Sequence, residues 1–159
     1  MSRALLLLVL CLAPLAAPAA VVCRLVSGGS LGFGAYDFFS PAPNDSLANV
    51  TVTCARDGGP QNTTLLMRVD QGINGATVSA RRLLHTGGTG DTLAYGLYRD
   101  VGRTNVWGAT DNVNTMSATL SIPNRSSGFA TFVIYGRIPA GQDVSAGTYR
   151  DTVGVTLIY

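Results

Sequence analysis

Of the side chains able to do chemistry, this chain has one histidine, three cysteines and nine aspartates. A Ser-His-Asp relay would have to be built on His85. That residue lies in a polar, glycine-rich stretch and reads as an exposed loop histidine, with no nucleophile elbow to serve. Paired carboxylates could hydrolyse a glycosidic bond. However, Asp45, Asp57 and Asp91 sit among turn residues, where aspartate usually bonds its own backbone. Gly87-Gly88-Thr89-Gly90 lacks the Gly-Lys-Ser/Thr of a phosphate loop and reads as a flexible connection. Trp107 with Gly108 offers either a sugar-stacking platform or an aromatic tucked under a loop, and the second is expected. No catalytic, cofactor-binding or metal-ligating residue is therefore assigned, and no enzyme is expected.

The elements around these residues follow from composition. The chain has 159 residues, 47% of them hydrophobic and only 13% charged, with 19 glycines. Every basic residue is arginine and every acidic one aspartate, so Lys and Glu, two good helix formers, are absent. A net charge of +2 without basic clusters gives no footprint for nucleic acid. One all-β domain is the expectation.

Arg3, the apolar run Ala4–Leu12 and the small residues of Ala13–Ala20 read as a secretory signal peptide, too short to span a membrane. Ala17-Pro18-Ala19 places cleavage between Ala19 and Ala20, so residues 1–19 leave and residues 20–159 form the domain. No later apolar stretch reaches the ~20 residues of a membrane helix. Export removes Cys11 and leaves Cys23 and Cys54 as an even pair in an oxidising compartment, where a disulfide is expected. One such pair with a single histidine does not make a four-ligand zinc set. Asn44, Asn49, Asn62 and Asn124 each head an Asn-x-Ser/Thr triplet, which has meaning only in a eukaryotic secretory route.

Period-two alternation recurs along the domain. It marks Val50–Cys54, Leu65–Val69, a weaker Val78–Leu84, Leu93–Leu97, Phe129–Tyr135 and Val153–Tyr159. Pro41–Asp45, Asp57–Pro60 and Pro139–Gly141 punctuate them as turns. Short strands at this spacing predict a β-sandwich.

Read in order, several segments resemble the spore coat protein U domain family, whose fold is shared with subunits of archaic, Csu-type chaperone–usher pili. They are Cys23, Leu31-Gly32-Phe33-Gly34-Ala35-Tyr36, Val50-Thr51-Val52-Thr53-Cys54, and Leu93 to Asp100 followed by Trp107-Gly108. The most specific are Val133-Ile134-Tyr135-Gly136-Arg137-Ile138-Pro139 and Gly147-Thr148-Tyr149-Arg150-Asp151-Thr152-Val153. The resemblance implies an immunoglobulin-like β-sandwich missing its last strand. It also implies a role in extracellular assemblies, with a periplasmic chaperone, an outer-membrane usher and neighbouring pilus or coat subunits as partners.

The sequence also argues for an open edge. The final apolar strand carries no Lys, Pro or charge to blunt it, and it runs to Tyr159. Val153, Val155, Leu157 and Tyr159 are expected to wall a groove for a foreign strand, with Phe129, Val133 and Tyr135 opposite. Only Ala20, Val21 and Val22 precede Cys23 after cleavage, about 10 Å when extended. The expectation is a subunit that accepts a strand without donating one, at the cell surface and at a filament tip. The competing reading is a secreted, self-contained carbohydrate-binding module or a coat protein outside any filament.

Overall fold

The computed structural model describes residues 19–159, so all but the last residue of the expected signal segment lies outside the described residues. Nine strands are present among the described residues: β1 (Val22–Ser27), β2 (Asn44–Ala55), β3 (Gln61–Val69), β4 (Arg81–His85), β5 (Thr92–Tyr98), β6 (Met116–Ile122), β7 (Ser127–Ile138), β8 (Tyr149–Arg150) and β9 (Val155–Ile158). They form a six-stranded sheet, in the order β1-β2-β7-β5-β4-β8, and a three-stranded sheet, β6-β3-β9. Inward residues of both sheets share one apolar core, which makes an all-β sandwich of the immunoglobulin-like kind.

Alternation builds the core. Val50, Val52 and Cys54 of β2, Leu65, Met67 and Val69 of β3, and Leu93, Tyr95 and Leu97 of β5 are all buried. Intervening residues such as Thr51 and Thr53 face outward, as period two requires. β1, β6 and the two-residue β8 add to the strands expected from the sequence. The strand expected over 78–84 starts only at Arg81, because Ala80 donates to the Thr77 carbonyl and closes a turn there.

β2 and β7 are the spine, paired from Asn44↔Ile138 to Ala55↔Ser127. Their register decides which face of β7 enters the core. Directly paired residues share a face, so Val50↔Phe132 and Val52↔Ala130 point inward. Thr53↔Phe129, Asn49↔Val133 and Leu47↔Tyr135 point outward.

The β1–β2 connection returns to the same spine. Leu31 and Phe33 lie over Gly136, where an added Cβ would fall 2.4 Å from Leu31 Cδ2 and 2.8 Å from Phe33 Cζ. Phe33 meets Tyr95 edge to face, and the Tyr36 hydroxyl donates to the Pro139 carbonyl at 3.1 Å. Two of the sequence segments named above therefore pack as one unit.

Trp107 is fully buried, and its indole N–H donates to the Met67 carbonyl at 3.1 Å. A sugar platform at Trp107 is excluded by that burial. His85 is likewise no loop residue. It ends β4, is only 9% exposed, accepts a bond from the Gly87 N–H at 3.0 Å and stacks edge-on against Tyr149.

Candidate functional site

The edge formed by β9 is the most distinctive surface of the fold. β9 bonds to β3 alone, over Leu66↔Ile158, Met67↔Leu157, Arg68↔Thr156 and Val69↔Val155. Val155 and Leu157 point toward the core with Val153, yet all three stay only partly buried. Their partners across the ladder, Met67 and Val69, are fully buried. Tyr159 continues the same alternation and is 53% exposed.

One edge of the other sheet is β1, which pairs only with β2. Its inward Cys23, and Val21 just ahead of the strand, are also only partly buried. A disulfide joins Cys23 to Cys54, residues directly opposite in the β1–β2 ladder with Cα atoms 4.0 Å apart. Among the described residues no ladder connects β1 with β9, so each presents unpaired backbone groups.

A polar cluster fixes the start of β9. Asp70 donates its backbone N–H to the Gly154 carbonyl, and its carboxylate accepts from the N–H groups of Gly72 and Gly154, both at 2.8 Å. A Cβ at Gly154 would crowd the Asp70 carboxylate, so glycine leaves that group its place. Asp151 accepts from the Asn74 side chain, the N–H groups of Ile73 and Asn74, and the Tyr95 hydroxyl. Burial, then the bond to Asp151, pushes the Tyr95 phenol far above its ordinary pKa and keeps it a donor.

Arg81 sits beneath this cluster, fully buried and bonded to carbonyls of Asp70, Val78 and Trp107 at 2.5–2.9 Å. Burial lowers its pKa, while Tyr95, Asp70 and Asp151 oppose that shift. Its guanidinium ties the end of β3, the head of β4 and the Trp107 loop together, a task that needs a planar fork of donors.

The opposite wall is not the one expected. Phe129, Val133 and Tyr135 lie on the outer face of β7, with Phe129 74% exposed and Tyr135 beneath the Arg103 guanidinium. The inward residues of β7 are Ala130, Phe132, Ile134 and Ile138. Parity along a strand apolar on both faces could not be read without its partner's register. Asp45, expected in a turn, stands on β2 in a two-point ion pair with Arg137 at 2.7 and 2.8 Å.

For chemistry the arrangement offers little. Among the described residues no group of three or more His, Cys, Asp or Glu could hold a metal ion. Gly28-Gly29-Ser30-Leu31-Gly32 spells G-x-S-x-G, but it lies in the β1–β2 connection and no helix follows it. No helix among the described residues is long and apolar enough to cross a membrane.

Comparison with known proteins follows the same lines. A crystal structure of the CsuC–CsuE chaperone–tip adhesion subunit pre-assembly complex, from archaic chaperone–usher Csu pili of Acinetobacter baumannii, contains a chain of like fold. The TM-score is 0.59 at 22% identity, and the match covers 88% of this chain but only 40% of that one. Protein U of Myxococcus xanthus is 33% identical over 140 residues, covering 83% of this chain and 73% of its own. The family model described as Spore Coat Protein U domain matches residues 11–156, and the chain belongs to that family.

Proposed function

We propose that the chain is an exported structural or adhesive subunit of a surface pilus or coat, and that the gap between β9 and β1 receives a strand from another chain. The observation that carries this is the state of β9. Its inward Val155 and Leu157 are half-buried, and its backbone is bonded on one side only. Completing the burial of an aliphatic side chain already half inside contributes roughly 1 kcal/mol, and each added backbone hydrogen bond about as much. A strand of several alternating residues thus gains enough to stay. The sandwich on this reading is an immunoglobulin-like fold short of one strand, and the donor supplies it.

The solved complex of like fold pairs a chaperone with a tip adhesion subunit, which supports a chaperone and an usher as transit partners and favours a terminal place in a filament. The family description supports a coat as the alternative product. Residues 1–19 serve as the export signal on this reading, with periplasmic transit before delivery to the surface.

The test is periplasmic expression with and without a co-expressed chaperone of the chaperone–usher class, followed by addition of an alternating apolar peptide. The expected result is aggregation or degradation alone, and a folded, stabilised species once the chaperone or peptide is present. A monodisperse, cooperatively folding monomer that ignores both would overturn the proposal.

A further inference from the structure

β9 stops short of the full length of β3. Its ladder reaches only Leu66 of β3, although β3 begins at Gln61. Beyond that point lies a cleft of about 400 Å³ lined by Ala19, Ala20, Val21, Arg56, Gln61, Thr63 and Tyr159. It stands where β1 begins and β9 ends, at one end of the gap between them.

The cleft differs in chemistry from the rest of that gap. Its one charged side chain is Arg56, whose Nε donates to the Ala19 carbonyl at 2.8 Å and whose Nη1 donates to the Gly59 carbonyl at 3.1 Å. Those two bonds use only part of its donor fork, and the one to Gly59 lies within the exported domain. The ion pairs among the described residues involve Arg68, Arg103 and Arg137, none of them Arg56. Loss of residues 1–19 on export would remove the Ala19 carbonyl and set the ammonium of Ala20 in the same cleft, adding positive charge.

We propose that this cleft is an anion-reading subsite, in which Arg56 receives a carboxylate at the end of the inserted strand. The inference rests on the strand-accepting reading and deepens it. Apolar positions along Val153, Val155 and Leu157 would hold almost any alternating strand, whereas Arg56 selects among them by charge. Gln61 and Thr63 add polar groups around the carboxylate, and Tyr159 forms the aromatic side of the cleft.

The experiment uses the full exported chain carried by a co-expressed chaperone of the chaperone–usher class, and follows uptake of two fluorescent peptides of about ten alternating valine and threonine residues. Both peptides are blocked at their termini; one is flanked by aspartate at each end, the other by asparagine. Anisotropy titrations are expected to show the aspartate peptide binding about tenfold tighter at low salt, with the advantage shrinking as salt rises. Arg56→Lys should keep the preference and Arg56→Gln should abolish it. Equal binding of both peptides by the wild type, or a preference that survives Arg56→Gln, would overturn the subsite while leaving strand acceptance standing. Failure of both peptides to bind the wild type would overturn the subsite and strand acceptance together. Should Arg56→Gln not fold, Arg56→Met takes its place, and equal wild-type binding of the two peptides overturns the subsite without any variant.

Discussion

Tyr95 and Asp151, 56 residues apart in sequence, meet through a hydroxyl-to-carboxylate hydrogen bond of 2.6 Å. The bond joins β5 of the larger sheet to the segment that leads into β9 of the smaller one. Asp151 also accepts from Ile73 and Asn74, so one carboxylate organises three stretches of chain.

Asp151→Asn keeps the shape but removes the charge and half the acceptor capacity. It is expected to cost about 1.5–3 kcal/mol in urea unfolding, since hydrogen bonds to charged groups are the stronger ones. Tyr95→Phe should cost less, and the double variant should fall short of the sum because the two share one bond. Full additivity would show that the bond is not a coupling element.

Gly136→Ala is expected to unseat the Leu31–Phe33 segment. The added methyl would fall within 2.8 Å of both side chains, closer than real carbon contacts. Overpacking of this kind costs about 1–3 kcal/mol. The Phe33→Ala background should relieve part of it, which a comparison of thermal midpoints would reveal.

Replacing Cys23 and Cys54 by serine opens a covalent loop of 31 residues. Chain-entropy reasoning puts the loss at about 3–4 kcal/mol. Hydrogen exchange should locate the first loosening in β1, whose remaining partner is β2 alone. Uniform loosening of both sheets would contradict this.

The pH response below neutrality should carry a signature from Asp100. The backbone N–H of Asn105, followed by Thr104, holds its carboxyl down at about 2 against an ordinary 3.8. A depressed folded value means that the contribution is complete above the ordinary range and is lost as pH falls through about 2. NMR titration of the Asp100 carboxyl checks the value. Asp100→Asn should flatten the acid slope of stability in that window.

Much of the sandwich is legible in the sequence because β2, β3 and β5 each have one apolar and one polar face. β6 carries the same signal, Met116, Ala118, Leu120 and Ile122 alternating with Ser117, Thr119 and Ser121, although it is not among the strands expected above. β7 is different. Phe129, Val133 and Tyr135 are as apolar as Phe132, Ile134 and Ile138, so hydropathy cannot choose the inward set, and only pairing with Val50 and Val52 does. His85 misleads, and the burial of Arg81 goes unread, for another reason. A polar side chain is expected outside, unless tertiary structure happens to deliver partners such as the carbonyls of Asp70 and Trp107. The β9 side of the site follows from alternation, whereas the Arg56 cleft depends on where three separate strands start and stop.

The two sides of the gap are fastened very differently. β1 is welded to its neighbour by a covalent bridge, whereas β9 is held along β3 by four residue pairs and clipped at its head by Asp70. A strand lying between them would run along one fixed rail and one that can peel. Under tension, β1 would transmit load directly into the spine of the larger sheet. β9 would open first, from its Tyr159 end.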